Sequence, residues 1–390
     1  MNRITLLKSH SATFDPRVRS TWARLLGERG DETRFYQCPA YFDHLASRES
    51  GLALAVVEFD GTPVGVVPVQ EGSTRLNFDA KRFRIAQLSF RSINVLGGAV
   101  LLPALGDAYD QFLCALSAAF PDCAAIEIPG VAVASPLWKH LCTRPRALDR
   151  FVIYAPHGVR GCHTLRVPAT FDEYLGGFKR KKRYNLKRQI RRLEKFSGGA
   201  LELKRIDSVA AVEELDRALQ QVAPRWAKTR PLHMMDKDEL AGLAERDLLL
   251  SYTLVADGRH CAVALGTRFN GTLLMHRFAH DIEIENFSPG TVLQLMMVRD
   301  LIESRLAHRV DYGFGEPKFR LTNEVEPRAT VVLVRRNAVN RSAIAAHASF
   351  CWLVDRTKRM IGPWMNGAEN PADAPDRDLP AGARDGSDRD

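Results

Sequence analysis

The sequence predicts an α/β protein built from two similar domains in tandem, each an α+β unit on a mixed sheet. Three observations carry this expectation. The chain has 390 residues, long for one domain and enough for two that each bury a core. Strand-like and helix-like runs alternate along it. One order of elements, a hairpin followed by a strand, a helix and a strand, occurs twice.

In the first copy a helical stretch at residues 17–26 includes Trp22. The run LALAVVEFDGTPVGVVPVQ (52–70) is two β-rich segments about Asp60-Gly61, a pair that tolerates positive φ at both positions and so marks a hairpin. INVLGGAVL reads as the next strand, residues 107–120 as a helix ended by Pro121-Asp122, and CAAIEIPG (123–130) as a buried strand. The second copy opens on TLRVP, a strand that stops at Pro168. Thr170 and Glu173 stand at capping-box spacing. A basic helix at about 179–196 ends at Gly198-Gly199, and another helix covers about 209–226. Residues 248–280 hold strands separated by the hairpin turns Asp257-Gly258 and Asn270-Gly271. ENFSPG leads into a helix at about 290–306, and the strands RVDYGFG and RATVVLVRR (328–336) complete the sheet.

Asp257-Gly258 answers Asp60-Gly61, so the chain reads as an internal duplication. The expected domains are 1–158 and 159–337, parted by the turn residues of APHGVRG, then a helix over 338–365 with Ile344, Trp352 and Met360 packing back on the body. An acidic Pro/Gly/Asp-rich tail over 366–390 is expected to be disordered.

Composition narrows the function classes. Hydrophobic residues make up 45% and charged residues 26%, values ordinary for a globular chain. No run of 18 apolar residues exists and the N-terminal segment has no secretory apolar core, so a cytoplasmic protein is expected. Seven cysteines without a CxxC pair fit reduced thiols and neither a disulfide framework nor a zinc site. The net charge is +9; the tail from residue 366 carries −4, which leaves +13 on the body and suggests an anionic ligand. GxSxG, Walker A and GxGxxG after a strand are all absent from the sequence.

Three constellations carry candidate chemistry. In Glu285-Asn-Phe-Ser-Pro-Gly290-Thr, Ser288 is placed to cap a helix and Pro289 to sit at its first position. The N–H groups near Gly290, Thr291 and Val292, with the helix dipole, would favour a phosphate; taken alone, Ser-Pro-Gly is an ordinary helix start. RVDYGFGEPKFR (309–320) holds Asp311 and Glu316, either candidate bases for an amine nucleophile or, respectively, the tie of a turn and a solvated carboxylate, beside Gly313, where the backbone can bend toward a ligand. KRKKRYNLKRQIRRLEK (179–195) has ten basic residues and one acidic. Leu186, Ile190 and Leu193 give it an apolar face, and the rest suits nucleic acid, tRNA, an anionic membrane or cofactor phosphates, or is simply a solvated face. No helix-turn-helix or aromatic platform accompanies it, so DNA is not an expected partner. Trp226 and His276 read as pocket residues or as ordinary core or surface ones, and no histidine has metal-ligand spacing with carboxylates on one helix.

Together these pieces resemble the acetyltransferases of the GNAT superfamily associated with cellulose and exopolysaccharide loci, which are similar in turn to the Fem-type aminoacyl transferases with paired GNAT-like domains. The resemblance covers about 15–335 and is strongest over 165–320. It rests on Lys181, Arg183, Lys187 and Arg188 of the basic helix, on Ser288-Pro289-Gly290, and on Asp311, Tyr312, Gly315, Glu316, Phe319 and Arg320. Phe319 stands where the family has Tyr, and Arg320 where it has Lys; both departures bear on chemistry there.

The resemblance implies an active second domain and a first that does not bind cofactor. Backbone groups of Arg277, Phe278 and Ala279 would pair with the pantetheine arm of an acyl-CoA, acetyl-CoA foremost. Its pyrophosphate would sit at Ser288, Gly290 and Thr291, with the acyl carbonyl near Gly313. Asp311 or Glu316 would take the amine proton. Arg183, Tyr184, Trp226, His276 and Lys318 are the expected acceptor-side residues, and no metal is expected. The acceptor class is a small-molecule or glycan amine in polysaccharide or envelope biosynthesis; the oligomeric state is left open. Two other readings stand beside this one. An aminoacyl-tRNA-dependent transferase would use the basic helix to hold RNA. A GNAT-like protein that binds a nucleotide, acidic polymer or partner would do no chemistry.

Overall fold

Two runs of the chain have the same succession of elements. The first holds β1 (Asn2–Lys8), α1 (Pro16–Arg29), α2 (Pro39–Ala46), β2 (Leu52–Phe59), β3 (Thr62–Ala80), β4 (Phe83–Val95), α3 (Ala108–Ala119) and β5 (Ala125–Ala132). Then come α4 (Pro136–Thr143), β6 (Phe151–Tyr154), β7 (Arg160–Arg166), α5 (Phe171–Gly176) and α6 (Arg180–Phe196). The second run holds β8 (Leu201–Ile206), α7 (Val209–Ala227), α8 (Lys237–Glu245), β9 (Ser251–Ala256), β10 (Arg259–Phe269), β11 (Thr272–His280), α9 (Pro289–Ser304) and β12 (Arg309–Phe314). β13 (Glu324–Arg335) and α10 (Ala338–Met365) follow. In each run a strand, two helices, three antiparallel strands, a helix and a strand appear in that order. The structure is a computed structural model and describes residues 2–8, 15–29, 35–48, 51–80, 83–98, 100–102, 108–143, 145–227, 235–314 and 321–365. The tail from residue 366 lies outside these. No helix among the described residues is long and apolar enough to cross a membrane.

The strands form one sheet in the order β1-β2-β3-β4-β5-β13-β7-β12-β11-β10-β9-β8, so the two runs read outward from the centre in mirrored sequence. β13 joins them. One side of it pairs with β5, and the other pairs with β7 and then β6. The sheet is thus continuous across the expected boundary at residue 158. The hairpin turns fall where the sequence places them, with φ of 47° and 75° at Asp60-Gly61, 52° and 72° at Asp257-Gly258, and 47° and 69° at Asn270-Gly271. Two positive φ values in a two-residue loop match the twist of the flanking strands.

The helices cover both faces of the sheet. On one face α1 and α2 meet α7 and α8 in a shared core, where Trp22, Phe42 and Leu54 lie in one apolar cluster with Leu215, Leu243 and Leu265. On the other face α3 and α4 cover the first run, and α6 and α9 cover the second through Leu186, Leu193, Leu293 and Val298. Thr170 caps α5 as its spacing predicts, its hydroxyl accepting from the Glu173 N–H at 3.1 Å, while the Glu173 carboxylate accepts from the Ala169 N–H.

Some expectations are corrected. The strand read as INVLGGAVL is the end of a long one, β4, which starts at Phe83 and pairs along the 19-residue β3. The outer part of that hairpin alternates polar and apolar residues over 75–79 and 87–91, with Leu76 and Phe90 buried, a period-2 strand signal that the reading from Ile93 onward leaves out. α10 packs back through Ile344, which is buried beside Val332 and Val334, whereas Trp352 is exposed. The side chain of Met360 lies outside the described residues.

Candidate active site

β11 and β12 run parallel for only three residue pairs, Thr272 to Leu274 against Arg309 to Asp311. Beyond them the strands part. From Met275 to His280 β11 keeps its antiparallel partner β10 on one side, but no register pair joins it to β12 on the other. Backbone N–H and C=O groups in such a gap need another partner.

Bulges in both strands create this opening. In β11, Arg277 faces Leu265 while Met275 faces Gly266, so His276 is one extra residue. Gly266 is required opposite: a Cβ there would lie 2.8 Å from the Leu250 carbonyl and from a Leu273 methyl. Ser251 holds the position, its hydroxyl accepting from the Gly266 N–H (3.0 Å) and donating to the Gly266 carbonyl (3.1 Å). In β12 the register against β7 slips between Asp311 and Phe314, and Gly313 has φ 71°. Bulges bend strands and re-aim side chains, and they concentrate beside active sites.

Asp311 pins the second bulge. Its Oδ1 accepts from the Gly313 N–H at 2.8 Å and from the Cys162 thiol at 3.3 Å, and its Oδ2 accepts from Arg328 Nη1 at 2.8 Å. Asp311 and Arg328 side chains are 2% and 6% exposed. Arg328 also donates to Glu326 Oε2, the same oxygen that accepts from Arg309 at 3.0 Å. Burial would lower the Arg328 pKa; the Asp311 charge and the Glu326 hydrogen bond outweigh it, so the guanidinium is held above its ordinary value.

The far wall comes from the first run. Phe35 and Tyr36, in a short 3₁₀ turn before α2, approach the His276 ring edge-on with centroids 6.0 and 6.2 Å away, and Tyr41 closes behind them. His276 Nε2 lies 2.8 Å from Thr267 Oγ1. Burial, and then the Arg277 charge, push the His276 pKa down to about 4, so the ring is neutral at pH 7. Burial and the Asp311 charge raise that of Tyr36. Toward α9, the Phe278 and Tyr312 rings stack at 5.8 Å.

At the open end of β11 the chain makes a 3₁₀ segment, Ile282–Phe287, and enters α9. Pro289 takes the first helical position as expected. Ser288 does not cap the helix by its side chain. It adopts φ 56° and ψ 48°, outside the extended region a capping side chain needs, and its hydroxyl instead accepts from Gln189 of α6 at 3.2 Å. The Ser288 carbonyl takes the N–H groups of Thr291 and Val292, two donors expected to be free; of the three, the Gly290 N–H is left for a ligand. A Cβ on Gly290 would stand 3.3 Å from His280 Nδ1, so the turn lies close against the end of β11.

The opening therefore gathers His276, Arg277, Phe278, Ala279, Ser288, Gly290, Thr291, Asp311 and Gly313 from the residues singled out in the sequence. Arg183 and Tyr184 lie on α6, with Tyr184 exposed on its outer side. Trp226 falls near the end of α7 and its side chain lies outside the described residues, as do Glu316 and Lys318 altogether. Tyr36, Phe35 and Arg328 escape sequence reasoning. The first two sit in a three-residue turn without periodicity, and Arg328 reaches Asp311 across β7, whose neighbours no local pattern reveals.

Residues 180–320 match the family model described as an acetyltransferase (GNAT) domain. The matched GNAT domain starts at α6 and includes both strands of the opening and the helix between them; Tyr36, Cys162 and Arg328 lie outside it. Among solved structures the chain is similar to FemX, with 11% identity, TM-score 0.52, and coverage of 77% of this chain and 88% of that one. At that identity the likeness shows a shared fold. It also matches the C-terminal domain of a putative lysylphosphatidylglycerol synthetase from Agrobacterium fabrum (13% identity, TM-score 0.49, coverage 85% and 94%). A third match is a tandem GNAT protein from the clavulanic acid biosynthesis pathway (12% identity, TM-score 0.48, coverage 87% and 100%). No curated protein matches the sequence.

Proposed function

We propose that this protein is an N-acyltransferase that moves an acyl group from acyl-CoA to an amine, acting in the cytoplasm on a small-molecule or glycan acceptor of polysaccharide or envelope biosynthesis. The observation that carries the reading is the parting of β11 from β12 after three residue pairs, inside the stretch that matches a GNAT domain. The strand edge at Arg277, Phe278 and Ala279 offers backbone partners for the amides of a pantetheine arm. The Gly290 amide, at the positive end of α9, suits a pyrophosphate.

The reaction needs little beyond placement. The amine nitrogen attacks the thioester carbonyl, a C–N bond forms, the C–S bond breaks, the amine gives up a proton and the departing thiolate takes one up. Holding the two reactants in contact supplies much of the rate. The cleft between Phe35, Tyr36 and neutral His276 is desolvated, which favours an uncharged amine. Asp311, its oxygens directed at Arg328, Gly313 and Cys162, acts by positioning β12. Glu316 is then the remaining candidate base of the pair.

Isothermal titration with acetyl-CoA, longer acyl-CoAs and free CoA tests this reading. Micromolar binding that Gly290→Asp weakens at least tenfold is the expected result. A carboxylate in the first turn of α9 suits the helix dipole but its Cβ presses on His280, so circular dichroism of the variant separates lost binding from lost folding. No binding of any CoA species would overturn the reading. The second reading, an aminoacyl-tRNA-dependent transferase, is favoured by the FemX-like fold and the cations of α6, and would appear as tight, salt-sensitive tRNA binding.

A further inference from the structure

The matched domain begins with a helix whose charge the cleft does not use. Lys181, Tyr184, Arg188, Arg191 and Lys195 recur at intervals of three and four residues, so they share one face of α6. The opposite side, Leu186, Ile190 and Leu193, packs in the core against α9. The first face is therefore the outer one, and there Arg188, Arg191, Lys195 and, at 60%, Tyr184 are exposed.

Several other cations of this domain have acidic partners: Lys204 with Glu214, Arg205 with Asp207 and Asp300, Lys237 with Glu213. Lys181, Arg188, Arg191 and Lys195 have none among the described residues. α6 also lacks an acid in its first turn, where the helix dipole would favour one. Like charges three and four apart repel. The face is at odds with the stability of its own helix, which points to an anion outside the chain.

Apolar side chains lie beside the charge. At the end of α6 the exposed Phe196 ring lies 4.4 Å from Phe287 of the 3₁₀ segment, tilted by 33°, with Arg192 over the Phe287 ring; Ile282 of that segment is exposed as well, next to Glu283, which pairs with Arg259. Cations around a central tyrosine, flanked by exposed aromatic and aliphatic groups, match the headgroup region of a bilayer: phosphates attract the basic groups and the amphipathic rings sit at that depth. A nucleic acid would meet the same charge but makes no use of an exposed isoleucine.

We propose that the outer face of α6, with Phe196 and Ile282, is a docking surface for a membrane leaflet rich in anionic phospholipid. The contact is peripheral, and it does not depend on the acyltransferase reading.

Flotation of the full chain with phosphatidylcholine vesicles, with and without phosphatidylglycerol, tests it. Binding is expected only with phosphatidylglycerol, declining as salt rises. The triple variant R188E/R191E/K195E should bind more than about a hundredfold more weakly, since loss of the three cations alone, at about 1 kcal/mol each near a charged leaflet, accounts for about a hundredfold. These side chains are exposed and outside the cleft, so acyl-CoA binding should persist. Circular dichroism checks folding, and R188Q/R191Q/K195Q should give an intermediate affinity if the reversed variant folds poorly. Ile282→Ser should weaken vesicle binding in high salt more than in low salt. Absence of vesicle binding by the wild type, equal binding by wild type and triple variant, or tRNA binding without vesicle binding would each overturn the proposal.

Discussion

Replacing Asp311 by Asn distinguishes a carboxylate that builds the cleft from one that takes a proton. The substitution keeps an oxygen for the Gly313 N–H and the Cys162 thiol but removes the charge facing Arg328. Both side chains are almost wholly buried, and Arg328 would be left with Glu326, which it shares with Arg309. Breaking one side of a buried ion pair costs about 3–5 kcal/mol, because the remaining charge stays desolvated. At about 2–4 °C per kcal/mol for a large domain, the melting temperature should fall on the order of 10 °C. In Asp311→Asn/Arg328→Met no unpaired charge remains, and most of that loss should return, since apolar replacement of a buried pair is often neutral. Differential scanning calorimetry and turnover are measured on all three proteins. For a positioning carboxylate, stability and turnover fall together in the single variant and recover together in the double one. If Asp311→Asn melts like the wild type and only turnover is lost, the reasoning is refuted and Asp311 is the base.

Two further predictions concern the seam between the runs. His276 has a pKa near 4 in the fold against about 6.5 unfolded, so the unfolded chain binds the extra proton in that window. Its stabilising contribution is complete above pH 6.5 and lost as pH falls toward 4; the loss is at most about 3 kcal/mol, and urea titration should show it shrinking in His276→Gln. A Cβ on Gly242 of α8 would come within 2.5 Å of the buried His44 ring on α2. Gly242→Ala should therefore destabilise by about 1–3 kcal/mol despite its helical position, read as a lowered denaturant midpoint, and His44→Ala in the same chain should relieve it.

Much of the second run is legible in the sequence because its signals are local. Asp257-Gly258 and Asn270-Gly271 select their turn type by backbone sterics alone, and Pro289 announces the start of α9. The repeat is legible for the same reason, since Asp60-Gly61 and Asp257-Gly258 occupy matching turns. What is hidden depends on pairing between distant segments. Asp311 reads equally as a base or as the tie of a turn until β7 and β13 bring Cys162 and Arg328 to it. Ser288 reads as a cap until Gln189 of α6 claims its hydroxyl. The aromatic wall at Phe35 and Tyr36 depends on α2 meeting α8, a contact that no window along the chain contains.

β13 also sets a timetable. The sheet of the first run presents β5 as an edge, and the strand that covers it begins roughly 190 residues further along the chain. At elongation rates of about 5–20 residues per second, that edge waits on the order of 10 to 40 s during synthesis. An uncovered strand rich in Ile, Val and Ala is a template for pairing with other chains. The first half therefore leaves the ribosome with an open ladder that only the end of its own chain closes, and shortening the protein before residue 324 removes that closure from both halves at once.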